Sequence, residues 1–116
     1  MTNEDREIFE GILRAKAEGR PCALATVVAT RGSTPRKNGA KMLIDPSEGL
    51  IGTVGGGCGE AEVITAAENT LETGKPMIVE VDLTDDPLSW TGSVCGGLLQ
   101  VFVEPIQPKD HDSAGE

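Results

Sequence analysis

The chain has 116 residues, 38% of them apolar, with two Phe, one Trp and no Tyr, which fits one domain around a modest, mostly aliphatic core. Its net charge is −9: residues 1–57 hold eight Lys/Arg against seven Asp/Glu, and residues 58–116 hold two against twelve. No basic excess is available to neutralise a nucleic-acid backbone, and no run of about 18 apolar residues is available to span a membrane.

Asn3 is a suitable N-cap with Glu4 and Asp5 in the first turn. A helix is predicted over 4–18, with Ile8, Ile12 and Ala15, and also Phe9, Leu13 and Ala17, at helical spacing and Gly19 as its stop. The β-branched run at 22–30 (CALATVVAT) reads as a buried strand. Residues 31–39 (RGSTPRKNG) read as a loop, 40–44 as a second strand, 45–49 as a turn and 50–54 as the return strand of a hairpin. A glycine turn follows, then a helix over 60–73 with Val63, Ile64, Ala67 and Leu71 on one face and Gly74 as the stop. Residues 77–83 read as a strand, 84–96 as a loop holding Trp90 and Cys95, and 98–104 as a last strand. About five strands and two main helices in this order give an α+β fold, a mixed α/β sandwich, in a single domain. The polar stretch from Pro108 onward is expected to be mobile. The acidic opening MTNEDREIFEG lacks a signal layout, so a cytoplasmic location is expected.

The most chemically loaded segment is Gly55-Gly56-Gly57-Cys58, placed between a strand and the start of the second helix. Glycines leave backbone N–H groups uncovered. The first N–H groups of a helix lack internal partners and favour negative charge. A thiol at such a place is more often thiolate. The segment therefore reads either as an anion cradle beside a reactive or metal-ligating sulfur, or as a tight turn with a small buried cysteine. Glu60, in the first helical turn, either complements the helix dipole or addresses a bound ligand. The Gly32-Ser33-Thr34-Pro35-Arg36 loop supplies hydroxyls, a turn stiffened by proline, and a guanidinium suited to phosphate or carboxylate. It reads either as an anion site or as an ordinary exposed loop. Arg31, Arg36, Lys37 and Lys41 form the one dense basic cluster.

Cys95-Gly96-Gly97 is a second cysteine beside flexible backbone, either a buried thiol at a strand start or part of a pocket shared with Cys58. Cys22 reads as core packing. His111 lies in the tail, and Trp90 either covers a pocket or closes the core. Three cysteines without C-x-x-C spacing argue against a disulfide framework and a zinc knuckle. No Walker-type P-loop is present, and Gly55-x-Gly57-x-x-Glu60 departs from the dinucleotide fingerprint at its last position.

Together, ATVVATRGSTPRKNGAKMLI, GTVGGGCGEAEVITAA and VCGGLLQVFVEPI resemble the N-terminal domain of the XdhC/CoxI family. Members are accessory factors for molybdenum hydroxylases such as xanthine dehydrogenase. The resemblance implies a chaperone that binds molybdenum cofactor (molybdopterin) transiently, supports its sulfuration with a cysteine desulfurase, and inserts it into the apo-hydroxylase. It assigns residues 1–106 to the family domain and 107–116 to a polar flexible tail. It places cofactor contacts at Ser33, Arg36, Gly55, Gly56, Gly57, Cys58, Glu60, Cys95 and Gly96, with Cys58 as the metal-side sulfur. No catalytic residue is implied. Typical members continue into a Rossmann-like domain that these residues do not contain, so a separate protein is expected to supply it, or the role is narrower. Gly59 stands where the family usually has a larger apolar residue, which would loosen the helix start or widen the pocket. A homodimer is expected from the edge strands of so small a domain. Two other readings compete: a small thiol-dependent enzyme using Cys58, for which no nearby His serves as base, and a regulatory module that no longer binds ligand.

Overall fold

The computed structural model describes residues 2–32, 34, 36–55, 59–83 and 97–108. Helix α1 spans Asn3–Ala17. Its N-cap is Thr2, one residue earlier than expected, whose hydroxyl accepts the Asp5 N–H at 3.0 Å. At the other end the Gly19 N–H bonds Lys16 C=O and the Arg20 N–H bonds Ala15 C=O. This is the paired closure that a left-handed residue permits, and Gly19 has φ of 73°.

Strands β1 (Cys22–Arg31), β2 (Lys41–Asp45) and β3 (Gly49–Gly52) precede helix α2 (Glu60–Thr73), and β4 (Met77–Asp82) and β5 (Leu98–Ile106) follow it. The five strands form one antiparallel sheet in the order β3-β2-β1-β5-β4. This is the expected α+β architecture. β3 ends two residues before the expected boundary, at Gly52, which has φ of 82°. β5 runs two residues past its expected end and includes Pro105. β4 reaches only as far as Val103, so at Pro105 the strand pairs on one side alone, with Ala23 of β1, an edge-like position where proline is tolerated.

Side chains alternate across a sheet, and the two helices use both faces. Ala23, Ala25 and Val27 of β1 pack with Met42, Ile44, Leu99, Val101 and Val103 against Val63, Ala66 and Ala67 of α2. The intervening Cys22 and Leu24 pack with Leu43 against Ile8 and Ala15 of α1. Burying each of these larger apolar side chains stabilises the fold by about 1.5–3 kcal/mol before ordering entropy is subtracted.

On α2 the innermost face is Val63, Ala66, Ala67 and Thr70, while Ile64 and Leu71 flank it half-buried. The buried Thr70 hydroxyl donates to Ala67 C=O at 2.9 Å and so is satisfied. On α1 the buried line is Ile8, Gly11 and Ala15; Phe9 and Leu13 face outward. A Cβ on Gly11 would lie 2.7 Å from Leu43 Cδ2 and 3.0 Å from Ile51 Cδ1, so glycine lets the helix settle onto the β2–β3 hairpin.

The hairpin turn is fixed by Asp45. Its Oδ1 accepts the Ser47 and Glu48 N–H groups at 2.9 and 3.2 Å, and both carboxylate oxygens accept from Arg20 Nη1 at 2.6 Å. Burial alone would push this carboxyl up, but Arg20 and the two N–H groups outweigh it and hold the carboxyl below the usual range. Arg20 thereby staples the end of α1 to the hairpin.

Candidate functional site at one end of the sheet

The antiparallel order carries three sequence motifs to the same end of the sheet. β1 ends at Arg31, paired with Leu98, the first residue of β5. β4 ends there too, with Asp82 opposite Leu98. β2 begins and β3 ends at this same side, with Lys41 opposite Thr26 and Gly52 opposite Met42. The Gly32–Arg36 loop, the glycine turn and the Cys95-Gly96-Gly97 segment therefore all join the sheet at one end. Of the residues expected to form the site, Gly55, Glu60 and Arg36 lie among the described ones. Ser33, Gly56, Gly57, Cys58, Cys95 and Gly96 lie outside the described residues, as do Pro35, Trp90 and His111.

Two of the motifs are tied together by Arg36. Its Nη1 donates to Thr53 C=O at 2.8 Å, at the entrance to the glycine turn, and its Nη1 and Nη2 clamp Glu4 at 3.3 and 2.6 Å. The hydrogen bond to Glu4 raises the guanidinium's hold on its proton above its ordinary value. The expected anion-binding arginine is thus engaged by a carboxylate from the first turn of α1 and by the backbone of the turn. Its visible action is to fasten loop, helix and turn to one another. Sequence reading missed Glu4 and Thr53 as its partners. They stand 32 and 17 positions away, and an acid in a first helical turn already has a local explanation. An open depression of about 570 Å3 beside this clamp is lined by Glu4, Asp5, Arg36 and Lys37 among others.

The other two motifs adjoin through the end of β4. Gly59, which follows Cys58 in the chain, caps α2 with φ of 72° and makes no side-chain cap. A Cβ there would press into Val81 Cγ1 and lie 2.9 Å from Leu83 Cδ2. Leu83 in turn donates its N–H to Gly97 C=O at 2.9 Å, and Gly97 follows Cys95-Gly96. The residues flanking Cys58 and Cys95 therefore meet the same short stretch of chain. Gly59 neither loosens the helix nor opens space: α2 starts at the next residue, and the glycine is what lets that start sit against β4. Gly59 has no side chain with which to cap the N-terminus of α2. Glu60 begins the helix half-buried. Cys22 is fully buried, as expected, and burial foremost, with Asp45 adding, pushes its thiol up. No helix among the described residues is long and apolar enough to cross a membrane.

Residues 15–82 match the sequence profile of the XdhC and CoxI family. The chain is 34% identical over 96 residues to the uncharacterized protein YqeB of Escherichia coli (strain K12), covering 83% of this chain and 18% of that protein. It is 35% identical over 101 residues to a probable xanthine dehydrogenase subunit of Bacillus subtilis (strain 168), covering 84% of this chain and 31% of that one. A crystal structure of a xanthine dehydrogenase from Bacillus halodurans superposes with a TM-score of 0.72 at 32% identity, over 90% of this chain and 32% of that chain. The chain thus spans less than a third of the length of each of these relatives. The profile match, the sequence identity and the shared fold together show that the chain belongs to the XdhC and CoxI family.

Proposed function

We propose that this domain is the molybdenum-cofactor-binding module of an accessory protein that matures a xanthine dehydrogenase-type hydroxylase. The observation that carries the reading is the convergence of the Gly32–Arg36 loop, the glycine turn and the Cys95 segment at one end of the sheet in a chain of this family. The donor chemistry fits the group. A helix start preceded by glycine backbone suits a phosphate, and a thiolate at Cys58 suits a metal centre or a sulfido ligand.

In this reading Gly55, Gly56 and Gly57 cradle the phosphate and Cys58 holds the metal side. Ser33, Glu60, Cys95 and Gly96 line the rest, and Arg36 keeps the cradle in place through Thr53. A single thiolate releases its cargo more readily than a closed four-ligand cage, as handing the cofactor to an apo-enzyme requires. When bound, the cofactor supplies the redox-active metal and the site for sulfuration. This chain orients it and shields it. The partners this role calls for are a cysteine desulfurase and the apo-hydroxylase, in the cytoplasm and with the domain as a homodimer.

Purification from cells rich in molybdenum cofactor, followed by oxidation and fluorescence assay of released pterin, tests the proposal. The wild type should retain pterin, and Cys58→Ser should retain at least tenfold less with an unchanged circular dichroism spectrum. Equal pterin in both, or none in the wild type, would overturn it.

A further inference from the structure

β4 is an edge strand, hydrogen-bonded to β5 on one side only among the described strands. Along it Met77 and Val79 are half-buried on the α2 side, while Ile78 is 60% exposed on the α1 side. Ile78 stands beside the half-buried Phe102, its partner on β5. An edge strand presents a row of backbone donors and acceptors to any second strand, and edges in stable monomers are usually blunted by lysine, proline or a bulge. Within Met77–Asp82 none of these occurs, the exposed charges Glu80 and Asp82 are confined to the strand's second half, and an exposed isoleucine sits near its start. The opposite edge is poorer. β3 has four residues and is bounded by Gly49 and Gly52, both at positive φ.

We infer that β4 pairs antiparallel with β4 of a second copy, with Ile78 opposite Ile78 on the two-fold axis. Charge and facing select this register. Directly opposed residues share a face, and registers centred on Met77 or Asp82 pair only that one strand residue with itself, so the remaining alternatives place Val79, Glu80 or Val81 on the axis. With Val79 there, Ile78 meets Glu80 of the second copy. With Glu80 there, two glutamates meet, and like charges directly opposite are destabilising. With Val81 there, Glu80 meets Asp82.

Only the Ile78 register sets apolar against apolar on both faces: Ile78 on Ile78 beside the Phe102 rings, and Met77 on Val79. It also brings the exposed Lys75, just before the strand, to the end of the second copy's β4 that carries Glu80 and Asp82. Two five-stranded sheets become one of ten strands. The candidate sites, each at the Asp82 end of its own β4, lie at opposite ends of the joined edge and neither blocks the other. This deepens the homodimer part of the proposed function and is independent of the cofactor.

Sedimentation equilibrium of the full chain from roughly 1 to 200 µM, with circular dichroism to check folding, tests it. The wild type should dimerise. Ile78→Lys and Ile78→Glu should each weaken dimerisation by roughly a hundredfold. An equimolar mixture of those two variants should regain a dimer, because the opposite charges then face each other on the axis. Leu13→Lys, on the outward face of α1, should dimerise as the wild type does. A monomeric wild type overturns both the inference and the homodimer reading. Folded Ile78→Lys that still dimerises, or a mixture that stays monomeric, overturns the β4 pairing and leaves a homodimer through another surface standing.

Discussion

Replacing Gly59 by alanine isolates what the start of α2 requires. Two separate costs arise. An L-residue held in the left-handed region at φ of 72° loses about 1–2 kcal/mol. The added methyl also meets Val81 Cγ1 and Leu83 Cδ2, both in the core, and forcing an extra methyl into packed surroundings costs about 1–3 kcal/mol. The expected loss is therefore about 2–5 kcal/mol, or about 8–20 °C in Tm for a domain of this size. Gly74 supplies the control. Its φ is 77°, yet a Cβ there meets nothing within 4 Å, so Gly74→Ala should lose only the backbone part, about 1–2 kcal/mol. Urea unfolding of the two variants, read by far-UV circular dichroism, measures both losses. A Gly59→Ala variant no less stable than Gly74→Ala would refute the claim that α2 is seated on β4 through a glycine.

Arg36→Ala should cost about 1 kcal/mol, since both partners are partly exposed. It should also speed hydrogen exchange in the first turn of α1 and around Thr53; Arg36→Lys should not restore protection, because an ammonium cannot fork across Glu4 while reaching the Thr53 carbonyl, and unchanged exchange in Arg36→Ala would count against the clamp. Asp45 binds its proton more weakly folded than unfolded, so its contribution is complete above the unfolded value of about 3.9 and is lost as pH falls through the lower folded value. Denaturation from pH 7 to 2 should show wild-type stability dropping in that window, whereas Asp45→Asn starts lower and drops less. Alkylation at neutral pH with peptide mass mapping should label Cys22 last, because it is buried and its thiol is pushed up; labelling of Cys22 ahead of Cys58 and Cys95 would contradict that.

Element types were legible because their signals are local. Hydrophobic periodicity marked both helices, β-branched runs marked the strands, and glycines marked the helix ends at Gly19 and Gly74. Errors arose where a distant group decides. Helical spacing on α1 fitted Phe9 and Leu13 as well as Ile8 and Ala15. Gly11, which carries no hydrophobic signal, shows which stripe faces the hairpin. The early end of β3 reflects the positive φ at Gly52 and the capture of the Thr53 carbonyl by Arg36. Arg36 itself read as an open cation because Glu4 lies far away in sequence. The motifs of the candidate site were all visible beforehand. Their gathering at one end of the sheet followed from strand pairing, and long-range pairing leaves no mark in either strand alone.

The placement of β5 between β1 and β4 has a consequence for biosynthesis. β1 and β4 are not neighbours, and among the described strands β5 alone bridges them. Its register joins Cys22 to Ile106, across most of the chain. While the ribosome has delivered only the residues before Leu98, α1 can settle on the β2–β3 hairpin, but α2 and β4 have no strand to complete their layer. The part of the sheet that holds β4 must wait for β5, with Val79 and Val81 lacking their neighbouring strand meanwhile. Non-local closure of this kind is slow, so the nascent domain should depend on chaperone protection until its last strand emerges. A truncation that removes β5 should yield an aggregating fragment rather than a smaller folded unit.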